Sequence, residues 1–245
     1  MSALVPYEVG GYILAGGKSS RMGRDKALMK LAGKPLIRHA VKKLRRVCID
    51  VQILTNSEKL EAFAPIVHDV HPGCGPMSGM EAGLDHSIFE WNLFMAVDMP
   101  FLPTAFISSW VNRCLLEERG LMAGARVRII EVDGRPQPAF CLLHKEVAPF
   151  LAAAIERGDY KLLPVLEAAA RALAARNGFV EGQDSFCVPF HGFRSTRGKG
   201  KGKGKGEAWR YTTEAQRRAR SLWFANLNTP EEFAEAERHV DVLDT

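Results

Sequence analysis

A chain of 245 residues with 47 % apolar and 25 % charged content can bury a sizeable core, as one large α/β domain or at most two small ones. That balance excludes a fibrous or wholly disordered chain. No apolar run approaches a membrane span, and M-S-A-L-V-P-Y-E-V-G at the start lacks the basic and apolar regions of a signal peptide. The five cysteines, at 48, 74, 114, 141 and 187, have no C-x-x-C spacing. This argues against a zinc site or disulfide framework and points to a reducing cytoplasm. Net charge is +5, but His191–Arg220 alone holds ten Lys/Arg and two Glu, so the rest of the chain sums to −3.

In chain order, Tyr12–Ala15 predicts a buried strand that breaks at Gly16–Gly17. The loop that follows carries Lys18, Ser19, Ser20, Arg21, Arg24 and Lys26. Glycines let successive backbone N–H groups face one concavity, and the cations beside them suit an anion. A strand opening into a basic, Gly-rich loop is a phosphate site by its physics. It is not a Walker A loop, whose first glycine would fall on Tyr12, and the dinucleotide pattern G-x-G-x-x-G is also unmet.

Pro35 opens a helix in which Leu36, Ile37, Ala40, Val41, Leu44 and Val47 recur at helical spacing. Strands are expected at Asp50–Thr55 and Ile66–His68, with a short helix near Glu58–Phe63 between them. The loop H-D-V-H-P-G-C-G-P-M-S-G-M leads into a helix ending near His86. Asn92–Val97 reads as a central strand stopped by Asp98-Met99-Pro100, and Pro103–Glu118 as a helix. This alternation predicts an α/β fold: a single Rossmann-like three-layer domain with a mostly parallel central sheet. Beyond it, Ala123–Glu131 and Gln137–His144 are expected strands around V-D-G-R-P. Helices follow at Lys145–Arg157 and Leu162–Ala175, and a strand near Ser185–Val188. The stretch 191–221 reads as a basic low-complexity insertion, partly disordered. Leu222–Leu227 is expected as a last strand, and Thr229-Pro230-Glu231-Glu232 as an N-capped helix start.

Three groups of residues carry chemistry. Asp98 ends an apolar strand, where ligands of open α/β sheets lie. Its carboxylate can hold Mg²⁺ against phosphate oxygens, or simply cap the turn into Pro100. Asn56 and Asp69 each follow a strand and reach the same crevice, where amide and carboxylate can bond a base edge or ribose; each also reads as a turn residue. Asn226 and Asn228 flank the last helix N-terminus in N-L-N-T-P-E-E, a place that suits both capping and an anion. His68 and His71 lack a third metal ligand and read as satisfied or solvated histidines.

The run L-A-G-G-K-S-S-R-M-G-R-D-K-A-L, with D-V-H-P-G-C-G-P-M-S-G-M, V-D-M-P and N-L-N-T-P, resembles the molybdenum cofactor guanylyltransferase family. Cytidylyltransferase relatives usually have L-A-A-G and lack the Asp before the Lys. The resemblance covers about 10–166 and 222–237, and departs from the family over 180–221. It implies transfer of GMP from GTP to the phosphate of molybdenum cofactor, with Mg²⁺ as cofactor. Arg21, Lys26 and Asp98 would be catalytic, with Asp98 the metal ligand. Leu14, Ala15, Gly16, Gly17, Lys26, Asn56, Asp69, Gly79 and Asp98 would bind the nucleotide, and Asn226 and Asn228 the acceptor. Arg135–His144 would be architectural and touch the acceptor. Transient contact with molybdoenzymes or cofactor-delivery proteins is implied; a membrane or nucleic-acid partner is not. Two rivals differ in kind. One is a nucleotidyltransferase for CTP or a sugar phosphate, which a nucleotide panel separates. The other is a nucleotide-sensing or RNA-binding module, which would keep RNA affinity after loss of Gly16–Lys26.

Overall fold

The computed structural model describes residues 7–16, 25–118, 125–177, 187–189 and 212–244. Nine strands and seven α-helices are present among them. The strands are β1 Tyr7–Leu14, β2 Lys30–Leu31, β3 Lys34–Pro35, β4 Cys48–Leu54, β5 Ile66–Val67, β6 Trp91–Ala96, β7 Val127–Val132, β8 Arg135–His144 and β9 Cys187–Pro189. The helices are α1 Leu36–Leu44, α2 Pro76–His86, α3 Thr104–Glu118, α4 Ala148–Glu156, α5 Leu162–Arg176, α6 Glu214–Arg218 and α7 Pro230–Ala236.

Seven strands form one sheet in the order β5-β4-β1-β6-β8-β7-β9, and β2 and β3 make a separate two-residue ladder. β5, β4, β1 and β6 run parallel to their neighbours. β8 then lies antiparallel to both β6 and β7, and β9 returns parallel to β7. The reversal has a local cause. β7 and β8 are joined by Asp133 and Gly134, with φ of 50° and 75°, the two left-handed residues of a tight hairpin turn. A two-residue hairpin forces antiparallel pairing, whereas the earlier strands have helices in their crossovers.

The central strands of the parallel half, β1 and β6, are buried on both faces. In β1, Val9 and Ile13 join the core beneath α1 and α3. Tyr12 and Leu14 join the core beneath α2, α4 and α5. This two-residue alternation is that of a strand sandwiched between helix layers.

The C-terminal stretch departs from expectation. Leu222–Leu227 is not a strand: a 3₁₀ turn at Arg220–Leu222 runs into irregular chain. Its apolar residues plug the core instead. Trp223 is fully buried and its ring N–H donates to the Gln216 carbonyl at 2.9 Å; Phe106 packs against the rings of Trp223 and Phe224. An apolar run reports burial, not the direction in which the backbone pairs. Residues 212–221, the end of the expected insertion, also take part in the fold. Thr213 and Gln216 form a reciprocal capping box on α6, and Gln216 is buried. The rest of that insertion, 191–211, lies outside the described residues.

Asp244 ties this end of the chain down. It accepts from Lys43 Nζ at 2.9 Å, from the Thr104 N–H at 2.7 Å and from Gln216 Nε2 at 2.7 Å. Lys43 is buried, so α1, α3 and α6 share one charged knot.

Candidate active site

Strand register brings the candidate residues to one rim. Leu14 is level with Leu54 in β4 and with Ala96 in β6, and Leu54 with Val67 in β5. The residues just past these ends therefore stand in a row: Ala15 and Gly16, then Asn56, Asp69 and Asp98. β1 has β4 on one side and β6 on the other, so its end is where the chain switches sides, the place where open sheets leave a crevice. The sheet hydrogen bonds continue to the rim. The Ala15 N–H donates to the Leu54 carbonyl at 3.1 Å, and Val97 N–H to the Leu14 carbonyl at 3.1 Å.

One cluster gathers around Lys26. A 3₁₀ turn, Lys26–Leu28, is N-capped by Asp25, whose Oδ1 accepts from the Ala27 N–H at 3.1 Å. The turn presents the Lys26 ammonium to Asp98 Oδ2, a direct ion pair, and to Asn228 Oδ1 at 2.7 Å. Lys26 and Asp98 are mostly buried side chains, 17 % and 14 % exposed. Asn228 is oriented in turn, since its Nδ2 donates to the Asn226 carbonyl at 3.3 Å. Its main chain is fixed by the capping box of α7, in which Thr229 and Glu232 bond reciprocally. The Leu227 N–H donates to the Asp98 carbonyl at 3.2 Å, which pins the C-terminal segment to the end of β6.

A second cluster lies on the other side of β1. The Asp69 N–H donates to Asn56 Oδ1 at 3.0 Å, and Asn56 Nδ2 donates to Asp69 Oδ2 at 3.3 Å. Burial pushes the Asp69 carboxyl above the usual carboxylate range, against the pull of the Asn56 bond and the His68 charge. Gly79, in the first turn of α2, leaves the space that Asp69 uses: a Cβ there would sit 3.1 Å from Asp69 Oδ1 and 3.4 Å from Leu54 Cβ. α2 begins at Pro76, behind an N-cap Gly75 whose φ of 70° favours glycine. The two clusters touch through Ser57, whose hydroxyl donates to Asp25 Oδ2 at 3.5 Å.

Lys26, Asp98 and Asn228 are thus brought into direct contact. Asn56 and Asp69 pair beside Gly16 and Gly79, and Leu14 and Ala15 form the floor. Asn226 contributes its main-chain carbonyl. Gly17 and Arg21 lie outside the described residues. Asp25 and Ser57 had not been assigned a role from sequence; an Asp immediately before the first residue of a short turn is a capping signal that could have marked Asp25. His68 and His71 face different carboxylates, Glu58 at 3.5 Å and Glu81 at 3.8 Å.

Among the described residues no three His, Cys, Asp or Glu side chains converge as a ready-made metal cage. Asp98 Oδ1, however, is buried with no hydrogen-bond partner. A carboxylate oxygen left unpaired in a polar crevice fits a hard divalent cation that brings its other ligands with it, as phosphate oxygens and water.

Comparison with known proteins identifies relatives of this chain. A family model described as the MobA-like NTP transferase domain matches residues 11–174. The chain is 36 % identical over 165 residues to the molybdenum cofactor guanylyltransferase of Vibrio atlanticus, covering 65 % of this chain and 81 % of that protein. It is 36 % identical over 177 residues to the molybdenum cofactor guanylyltransferase of Serratia proteamaculans, covering 70 % and 85 %. The crystal structure of molybdopterin-guanine dinucleotide biosynthesis protein A from Archaeoglobus fulgidus matches the fold with a TM-score of 0.65 at 23 % identity, over 94 % of this chain and 97 % of that one.

Proposed function

Because the chain belongs to the MobA-like NTP transferase family, we propose that this nucleotidyltransferase moves GMP from GTP to the phosphate of molybdenum cofactor. An oxygen of the acceptor phosphate attacks the α-phosphorus of GTP. The bond to the β-phosphate oxygen breaks and pyrophosphate leaves, so the product is the guanine dinucleotide form of the cofactor. The observation that supports the reading is the contact of Lys26 with both Asp98, assigned to the nucleotide and metal, and Asn228, assigned to the acceptor.

The acceptor phosphate is already anionic, so the reaction needs no strong general base. The work left to the protein is alignment and charge neutralisation. Lys26, with Arg21 and the amides of Gly16 and Gly17, neutralises the triphosphate. Asn56 and Asp69 read the base edge from the other side of β1, beside Gly79. Asn226 and Asn228 hold the acceptor. Asp98 would hold Mg²⁺ through its unpaired oxygen, and the bound ion would supply charge to the phosphates and the pyrophosphate leaving group.

The free cysteines among the described residues suit a reducing cytoplasm. No described helix is long and apolar enough to cross a membrane. The reading takes 1–245 as a single nucleotidyltransferase domain carrying a basic insertion. It also takes molybdoenzymes or cofactor-delivery proteins as transient partners.

The test is product analysis by mass spectrometry with GTP, CTP or ATP supplied beside molybdenum cofactor and Mg²⁺. Guanine dinucleotide and pyrophosphate from GTP alone is the expected result. Preferential use of CTP, or no dinucleotide from any of the three, would overturn the assignment.

A further inference from the structure

Helix α1 carries charge in a pattern that its own stability does not explain. Between Lys26 and Ile49 the chain has eight Lys/Arg and no Asp or Glu. Six of the eight, Lys26, Lys30, Lys34, Arg38, Lys42 and Arg46, recur at every fourth position. Lys26 has its partners in the crevice. Lys34, Arg38, Lys42 and Arg46 are exposed instead, and with Arg45 they line a groove of about 730 Å³ between α1 and residues 62–63. The one carboxylate on the groove wall among the described residues, Asp244, is engaged by Lys43, Thr104 and Gln216.

A solvated helix face accounts for half of this. Cations in the last turn complement the helix dipole, which explains Lys42 and the arginines beyond it. It does not explain Arg38, in a first turn with no acidic residue, where positive charge opposes the dipole. Like charges four residues apart also destabilise a helix, and here Arg38 and Lys42 are such a pair, with no glutamate in the helix to offset them.

We propose that this groove docks an extended, acidic segment of a partner protein. Four helical residues rise about 6 Å, and alternate side chains of an extended chain stand about 6.6–6.8 Å apart. Carboxylates on every second residue would therefore meet Arg38 and Lys42 in turn, with Arg46, in the turn after α1, lining the same groove beyond them. A nucleic-acid strand fits less well. The groove's aromatic residue, Phe63, is half-buried and packed on the hydrophobic core, so its ring is committed and the base stacking of single-strand sites is not on offer. Arg45 Nη2 donates to the Phe63 carbonyl at 3.1 Å, which braces the far wall. At the other end, Lys34 belongs to the β2–β3 ladder that follows the Lys26 turn, and the Leu36 N–H donates to the Met29 carbonyl at 2.9 Å. A segment in the groove thus lies beside the crevice without entering it.

The experiment measures fluorescence polarisation of a labelled peptide of alternating Glu and Ser on the full chain, at about 50 mM and about 500 mM salt. The wild type is compared with Arg38→Glu/Lys42→Glu and with Arg38→Gln/Lys42→Gln; all retain the basic residues of 191–221 as a constant background. The expected result is a graded loss at low salt: a few-fold for the Gln pair and about tenfold or more for the Glu pair, with the difference collapsing at high salt. Melting temperature and GMP transfer stay at wild-type values. Equal peptide affinity in all three proteins would place the binding elsewhere and end the proposal. So would an oligothymidylate that binds more tightly than the peptide and is lost in the same variants. Because the readout is peptide binding, it stands or falls independently of the reaction assigned to the crevice.

Discussion

The ammonium of Lys26 rests on the carboxylate of Asp98 and, at 2.7 Å, on the side-chain oxygen of Asn228. Three segments far apart in the chain meet at one nitrogen: the turn after β1, the end of β6 and the approach to α7. In the free protein Lys26 supplies Asp98 with the positive charge that a metal–triphosphate complex would bring. On the proposed function, a bound nucleotide would take over part of that charge pairing, and Asn228 would be available to the acceptor once Lys26 contacts phosphate.

Asp98→Ala is expected to lower GMP transfer by on the order of a hundredfold or more. Lys26→Ala should also impair transfer, partly through weaker GTP binding. Both variants should melt close to wild type, because the pair lies at the rim of the sheet and not in its core. Steady-state kinetics beside thermal melts check this. Near-normal turnover by the Asp98 variant would remove it from the mechanism.

Gly79→Ala tests the base side. The added methyl would stand 3.1 Å from Asp69 Oδ1, so the carboxylate must move while the Lys26 cluster stays in place. The expectation is a raised KM for GTP with a smaller change in kcat. Gly16 differs: a Cβ there would meet Asp69 Oδ2 at an ordinary 3.7 Å. Gly16→Ala should therefore be mild, whereas Gly16→Val, branched into the crevice, should cost more than Lys26→Ala. Equal kinetics for the two Gly16 variants would mean that nothing binds there.

Asp244 makes the stability prediction. Burial pushes its carboxyl up, but the Lys43 charge and the bonds from Thr104 and Lys43 more than offset that, leaving it below the usual range. A lowered folded-state pKa gives stability that is present above the unfolded value of about 3.9 and lost as pH falls through the folded value. Asp244→Ala should cost about 3–5 kcal/mol, since it strands the buried Lys43. In melting temperature that is roughly 10 °C. Lys43→Met/Asp244→Leu should recover part of it. In differential scanning calorimetry, wild type should lose stability on acidification below about pH 4, and the double variant should lack that component.

The insertion yields the mildest expectation. The alternating Gly and Lys of 198–206 offer no apolar side chain to bury, and long connections add little closure entropy. Deleting Arg197–Gly206 should leave melting temperature and turnover at about 0.15 M salt nearly unchanged. A fall in turnover that persists at high salt would make the segment part of the acceptor site.

Local sequence signals in this chain mark element ends where backbone preference is decided locally. Tyr12–Ala15 before Gly16, Asn92–Val97 before Asp98 and Thr229-Pro230-Glu231-Glu232 each announce a strand end or a helix start within a few residues, although β1 begins earlier, at Tyr7. The positions of Asp98 and Asn228 follow from those ends, and those of Asn56 and Asp69 from the ends of β4 and β5. What only the tertiary structure decided is which of these ends meet. Lys26 finds Asp98 across 72 residues and Asn228 across 202, a matter of strand order and register that no local period records. The reversal at β8, and the use of Trp223–Leu227 as a core plug rather than a strand, are of the same kind. Apolar sequence states that a segment must leave water, while the space remaining between the sheet and α3 determines the shape in which it does so.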